Sequence, residues 1–214
     1  MKLKFTGIIL SLGLMGCSNG TLHNYNSDSV TIDTQLIGIP WLLGGYGSSI
    51  PLTEDLSLTA KHVASYDYSN TIAYHPTCDV AIIERENRGK NIPSLGTIEE
   101  NKPVKTFGRS IINPYKTIYG KGVYLFDIHL TASELNDDEC LISLIDAPVQ
   151  IGMSGGGVIN EKGELVGIIS SFLNGKVTSA DGVEVKRAST MVSTKFIGDW
   201  IQMETKKYYE QKKQ

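Results

Sequence analysis

The segment Gly152-Met153-Ser154-Gly155-Gly156-Gly157 sets one hydroxyl in a run of glycines. Glycine tolerates tight turns and positive φ, so this backbone can bend until two N–H groups stand beside the serine oxygen. A pair of such donors is what a developing oxyanion requires, and Gly152 and Ser154 are expected to supply it. A serine hydroxyl is a poor nucleophile at neutral pH and needs an adjacent base. His62, in Leu58-Thr59-Ala60-Lys61-His62-Val63, is the expected base. Asp79, opening Asp79-Val80-Ala81-Ile82-Ile83, is the expected carboxylate that orients it. Plainer readings exist for each residue taken alone. Serines are common in tight turns, histidines are more often packed or exposed than catalytic, and aspartates often open strands. The flanking strings set these three apart: His23, His75 and His129 lack such a context, and Asp67 has no strand behind it.

Taken together, these strings resemble the trypsin-like serine peptidases, especially the bacterial HtrA-like branch, over roughly residues 38–203. The chain order His, Asp, Ser is that of the chymotrypsin-type triad. Thr59-Ala60-Lys61-His62 is similar to the family's Thr-Ala-Ala-His, with Lys61 at one alanine. Ile197-Gly198-Asp199-Trp200-Ile201-Gln202 is similar to the helix that closes the family fold. The resemblance implies an all-β fold of two antiparallel β-barrels with a C-terminal α-helix. Two departures stand out. His62 and Asp79 are only 17 residues apart, so a hairpin of the first barrel is expected to be missing or reduced. Met153 stands where vertebrate trypsins carry an aspartate that pairs with a new N-terminal amine, so activation by N-terminal insertion is not expected.

The resemblance also places a substrate pocket. The residue six before the nucleophile, Pro148, should form its floor, Ser170 to Phe172 one wall, and Ala188 or Ser189 another. None is acidic, which favours a small or medium apolar P1 side chain over lysine or arginine. Cys78 and Cys140 are implied to lie near one another; a disulfide and two buried thiols both stay open. No Cys/His cluster has metal-ligand spacing and no phosphate-binding glycine motif occurs, so neither metal nor cofactor is expected.

The ends carry a different signal. Lys2 and Lys4 precede a short apolar run, Phe5 to Leu14, and Leu14-Met15-Gly16-Cys17 reads as a lipoprotein cleavage box. Residues 1–16 are thus expected to be a signal peptide and Cys17 the acylated first residue of an envelope protein. By resemblance to Gram-negative lipoprotein sorting, Ser18 rather than Asp after it favours the outer membrane, facing the periplasm. Residues 17–29 are polar without apolar period and are expected to be a flexible tether. Residues 30–97 should form the first barrel, 98–193 the second, and 194–212 the helix, with Phe196, Ile197, Trp200, Ile201 and Met203 on one face. Candidate strands are Thr31–Ile39, Ala73–Ile83, Lys105–Ile111 and Gly122–Phe126. No PDZ-like extension is expected after residue 203. Losing Lys2 and Lys4 from a net charge of −3 leaves about −5, and no basic stripe remains for nucleic acid.

The sequence therefore points to a lipid-anchored, envelope-facing serine endopeptidase acting on polypeptides without a cofactor. A non-catalytic binding lipoprotein of the same fold is the rival reading, since fold alone does not establish activity. An esterase using the same three residues also stays open.

Overall fold

Runs of four to nine residues rich in Val, Ile and Thr, broken by Gly, Pro and Asn, favour strands that cross a sheet once and turn back. The computed structural model describes residues 18–39, 43–129, 140–173, 177–178, 182 and 184–213; the expected signal peptide, residues 1–16, and Cys17 lie outside them. The first half carries β1 (His23–Asn24), β2 (Asp33–Ile39), β3 (Leu43–Pro51), β4 (Leu56–Thr59), α1 (Lys61–Ala64), β5 (Thr71–Tyr74) and β6 (Ala81–Glu84). The second half carries β7 (Pro103–Arg109), β8 (Thr117–His129), β9 (Leu141–Ile145), β10 (Gly157–Asn160), β11 (Leu165–Leu173), β12 (Val177–Thr178), β13 (Glu184–Val185), β14 (Ala188–Ser193) and α2 (Thr194–Gln211).

In the second half, strands run in the order β8-β7-β10-β11-β14-β9, and β8 also pairs with β9, which closes a six-stranded antiparallel barrel. The first half is a five-stranded antiparallel sheet, β2-β3-β4-β6-β5. Among the described residues β2 and β5 do not pair, so the expected first barrel is here an open sheet. The shortening lies where the sequence places it, because the 17 residues from His62 to Asp79 hold only α1 and the four-residue β5. The strand expected over Ala73–Ile83 is two strands, with a loop between Tyr74 and Ala81. The Nδ1 of His75 accepts the N–H groups of Thr77 and Cys78 at 3.3 and 2.9 Å, which bends the chain out of the ladder.

One hydrophobic cluster spans both halves, beside a second inside the barrel. Ile50, Leu56, Leu58, Val80 and Ile82 of the first sheet pack with Phe107, Leu165, Ile168 and Val192 of the barrel. Into the same core α2 inserts Ile197, Ile201 and Tyr208, the buried stripe of an amphipathic helix. The Tyr208 hydroxyl then donates to Glu84 at 2.6 Å, fastening the last turns of α2 to β6. A disulfide joins Cys78 to Cys140 across 62 residues. Closing a loop of that size stabilises the fold by on the order of 2–4 kcal/mol, and it pins the loop that carries Asp79.

The N-terminal segment differs from expectation. From Ser18 onward it is packed, not a free tether. β1 pairs with β8, His23 opposite Tyr119. The Tyr25 ring meets Phe107 edge-on with centroids 4.9 Å apart, and Leu22 packs against the barrel core. Two apolar residues three apart make no detectable period, yet both find a hydrophobic surface that only the folded barrel presents.

Candidate active site

His62 sits on a single helical turn. Ala60 enters α1 in extended geometry, and Ala60, Val63 and Ala64 are all buried. With those side chains turned to the core, His62 faces solvent, its side chain about half exposed. Asp79 comes from the loop that His75 and the disulfide shape. The burial of His75, and then the charge of Lys61, push its pKa down. It therefore stays a neutral acceptor for the loop amides, its ring edge-on to Trp200 at 5.0 Å.

The two side chains meet closely. Asp79 Oδ2 lies 2.8 Å from His62 Nδ1, and Oδ1 accepts the His62 main-chain N–H at 3.0 Å. Ser170 Oγ donates to Oδ2 at 2.6 Å. A carboxylate only accepts, so Nδ1 carries a proton, and in the neutral ring Nε2 is the nitrogen left with the lone pair. Burial works against the Asp79 charge. The hydrogen bond and charge of His62, the Ser170 hydroxyl and the His62 amide outweigh it, and hold the carboxyl below its ordinary value.

Ser154 shares a cleft of about 260 Å³ with His62. Its hydroxyl does not bond to His62 as expected; it donates to the carbonyl of Ser170 at 2.9 Å. The register of β11 against β14 slips between Ile169 and Ser171. Ser170 is thereby released from the ladder, its carbonyl available to Ser154 and its hydroxyl to Asp79. One bulged residue thus touches both ends of the constellation. The sequence placed Ser170 in the pocket wall, but its role toward Asp79 could be seen only in the fold.

Gly152 and Gly155 hold φ of +97° and +85°, values that side-chain-bearing residues avoid. At Gly155 a Cβ would also stand 2.1 Å from the Ser48 carbonyl oxygen. Ser48, fully buried on β3, grips this loop from the opposite half. Its N–H donates to the Ser154 carbonyl at 2.8 Å and its hydroxyl to the Gly152 carbonyl at 2.7 Å. The same hydroxyl accepts the Arg109 N–H at 2.8 Å. The N–H groups of Gly152 and Ser154 have no acceptor among the described residues. Met153 replaces an ion pair with burial: it is fully enclosed in the barrel core.

The cleft walls differ from the expected pocket. Val149, Gln150 and Ile151 form one side, and Ser170, Ser171 and Phe172 the other. Pro148 is not in the cleft; it is buried, with its carbonyl accepting from Thr106 at 2.8 Å. Ser189 is also behind the wall, donating to the Ala147 carbonyl at 2.7 Å. The lining thus starts one residue later than expected, at Val149 rather than Pro148. No carboxylate lines the cleft among the described residues. Asp146 pairs with Arg187 at 3.6 Å instead, and Asp181 lies outside the described residues.

No family model matches the chain, and no curated protein matches it by sequence. Solved structures do match. The HtrA-type protease AlgW with a tripeptide superposes at a TM-score of 0.64 and 17% identity, covering 81% of this chain and 60% of that one. The active form of the Rv3671c protease from M. tuberculosis matches at 0.63 and 14%, covering 80% and 79%. The MamO protease domain from Magnetospirillum magneticum matches at 0.59 and 17%, covering 80% and 96%. The chain spans about 60% of the AlgW structure's length. At these identities the likeness concerns the fold, and the fold is that of HtrA-type, chymotrypsin-like serine protease domains.

Proposed function

We propose that the chain is a serine endopeptidase in which Ser154 is the nucleophile, His62 the general base and Asp79 its orienting carboxylate. The observation that carries this reading is the joint one: His62 is hydrogen-bonded through Nδ1 to Asp79 and shares a cleft with Ser154, on a loop whose Gly152 and Ser154 N–H groups have no acceptor among the described residues. Ser154 Oγ leaves the Ser170 carbonyl and attacks the scissile carbonyl carbon as its proton passes to Nε2. The N–H groups of Gly152 and Ser154 bind the oxyanion. Collapse of the tetrahedral species breaks the C–N bond, and the imidazolium delivers its proton to the departing amine. Water, deprotonated by His62, then releases the acyl group and restores Ser154.

Labelling with a fluorophosphonate tests this directly, since the reagent needs an activated serine and nothing of the natural substrate. The apolar side chains of Val149, Ile151, Ile169 and Phe172 along the cleft favour P1 residues such as Val, Ala or Leu. An unpaired P1 cation there would lose its hydration without compensation. Profiling on a peptide library should show that preference, and a dominant P1 Arg would contradict it. The resting contact of Ser154 with Ser170 favours one rival, a binding protein of this fold without catalysis; it predicts no label at all.

The protein is further proposed to be held at the bacterial envelope, on the periplasmic side of the outer membrane, by lipid on Cys17. Replacing residues 1–17 by a signal peptide that is cut without a cysteine should move it from the membrane fraction to the soluble one, whereas Cys17→Ala alone would leave the apolar leader uncut. The variant keeps Ser18 and all that packs after it, so it should stay folded. Membrane association that persists with no lipid on the protein would contradict the anchor.

A further inference from the structure

The segment Ser18–Gly20 is stitched along the back of the cleft wall by more hydrogen bonds than so short a stretch needs for its own order. Asn19 donates its main-chain N–H to the Val149 carbonyl at 3.1 Å, and its side-chain oxygen accepts the Val149 N–H at 2.8 Å. Its side-chain amide donates to Ser189 Oγ at 2.9 Å, and that hydroxyl in turn holds the Ala147 carbonyl. Arg187 donates to the Asn19 carbonyl at 3.1 Å and to the Asp146 carbonyl at 3.0 Å. Ser18 forms a bridge with Gln150. Both main-chain groups of Val149, a residue 1% exposed, have Asn19 as their hydrogen-bond partner.

The position of this contact gives it consequence. Val149 and Gln150 line the cleft, and the Gln150 carbonyl accepts the Met153 N–H at 3.1 Å, which starts the turn bearing Gly152 and Ser154. We propose that Ser18–Gly20 is an intramolecular strap for the substrate cleft, with Asn19 the residue that positions the Val149–Ile151 wall and thereby sets the P1 site. Without the Asn19 side chain the buried Val149 N–H loses its acceptor, while the main-chain N–H of residue 19 can still reach the Val149 carbonyl. A lost partner of this kind shifts a local equilibrium by on the order of tenfold or more toward an open wall. The chain thus orders its cleft from the N-terminal side through a neutral amide, where Met153 leaves no carboxylate for an ammonium to meet. The kinetic part rests on the peptidase reading above; the ordering of the wall does not.

The test uses the full chain, purified from membranes in detergent in the form the cell produces, as wild type, Asn19→Ala, Asn19→Asp and Ser189→Ala. Hydrogen–deuterium exchange over residues 146–153 is the first readout, with β7 and β8 as the control for intact fold. Asn19→Ala should raise exchange at the Val149 amide by about tenfold or more, whereas Asn19→Asp keeps the acceptor oxygen and should restore protection. Ser189→Ala, which removes only the distal partner, should fall between them. KM and kcat on apolar-P1 peptides are the second readout. Asn19→Ala should raise KM about tenfold and flatten P1 preference, with fluorophosphonate labelling changed by no more than about threefold. Unchanged exchange at Val149 in Asn19→Ala, or no rescue by Asn19→Asp, overturns the strap. If wild type neither labels nor cleaves, the peptidase reading fails while the exchange result still decides the strap.

Discussion

Ser154→Ala should abolish fluorophosphonate labelling and lower peptide-cleavage kcat by on the order of 10⁴- to 10⁶-fold. The variant removes the only atom that forms the acyl bond. The oxyanion donors and the binding cleft remain, so a residual rate above that of water is expected rather than none. The fold should survive. The Ser154 hydroxyl makes one hydrogen bond, to the Ser170 carbonyl at the cleft, and losing such a bond changes stability by about 1 kcal/mol. The loop is held by contacts the substitution leaves alone, namely Ser48 on the carbonyls of Gly152 and Ser154 and Met153 in the core. The measurements are labelling stoichiometry, single-turnover cleavage and a thermal melt. Wild-type cleavage by this variant would move the chemistry to another residue.

The second large effect belongs to Asp79→Asn. Asp79 receives three donors: His62 Nδ1–H, the His62 main-chain N–H and the Ser170 hydroxyl. An amide of the same shape offers one oxygen and two N–H groups, so at least one donor must face another donor. His62 then gains by placing its proton on Nε2, where it can no longer accept one from Ser154. A fall in kcat on the order of 10⁴ at neutral pH is expected, with little change in KM because the carboxylate does not line the cleft. Activity within tenfold of wild type would show that another group orients His62.

The same variant has a stability signature. His62 and Ser170, against burial, hold the Asp79 pKa below its ordinary value in the folded chain. A carboxyl whose pKa is lower folded than unfolded stabilises the folded state above about pH 4. That contribution fades as pH falls through the depressed folded value and Asp79 takes up its proton. Denaturant midpoints should therefore fall more steeply with acid for wild type than for Asp79→Asn, and the gap between the two should narrow at the lowest pH. A gap that widens on acidification would mean that Asp79 is not held as a carboxylate in the fold.

The all-β architecture, the closing helix and the shortened first half were legible because each leaves a local trace. Apolar runs of four to nine residues, turns such as Asn160 to Glu164 with Gly163 at φ +81°, and the 3.6-residue stripe of α2 all act over a few positions. The strings around His62, Asp79 and Ser154 were legible for the same reason, and the fold brings all three to one region. The pocket was less so. Val149 rather than Pro148 lines the cleft, and its N–H is held by Asn19 from 130 positions away.

Ser48 and Asn19 left no trace, and Ser170 was legible as a pocket wall but not as a partner of Asp79. Each is an ordinary polar residue whose importance comes from a partner far along the chain: Gly152 is 104 positions from Ser48, and Asp79 is 91 from Ser170. Residues 18–29 misled for a related reason, since a polar stretch with two apolar anchors is indistinguishable from a tether until a barrel surface exists to receive it. Sequence determined which segments become strands and which residues can carry charge and protons, because backbone preference and side-chain chemistry are local properties. Tertiary structure alone decided which carbonyl each hydroxyl holds and which side chain faces the cleft. A hydrogen bond needs its two atoms within about 3 Å, and no pattern along a chain specifies that closeness across a hundred residues.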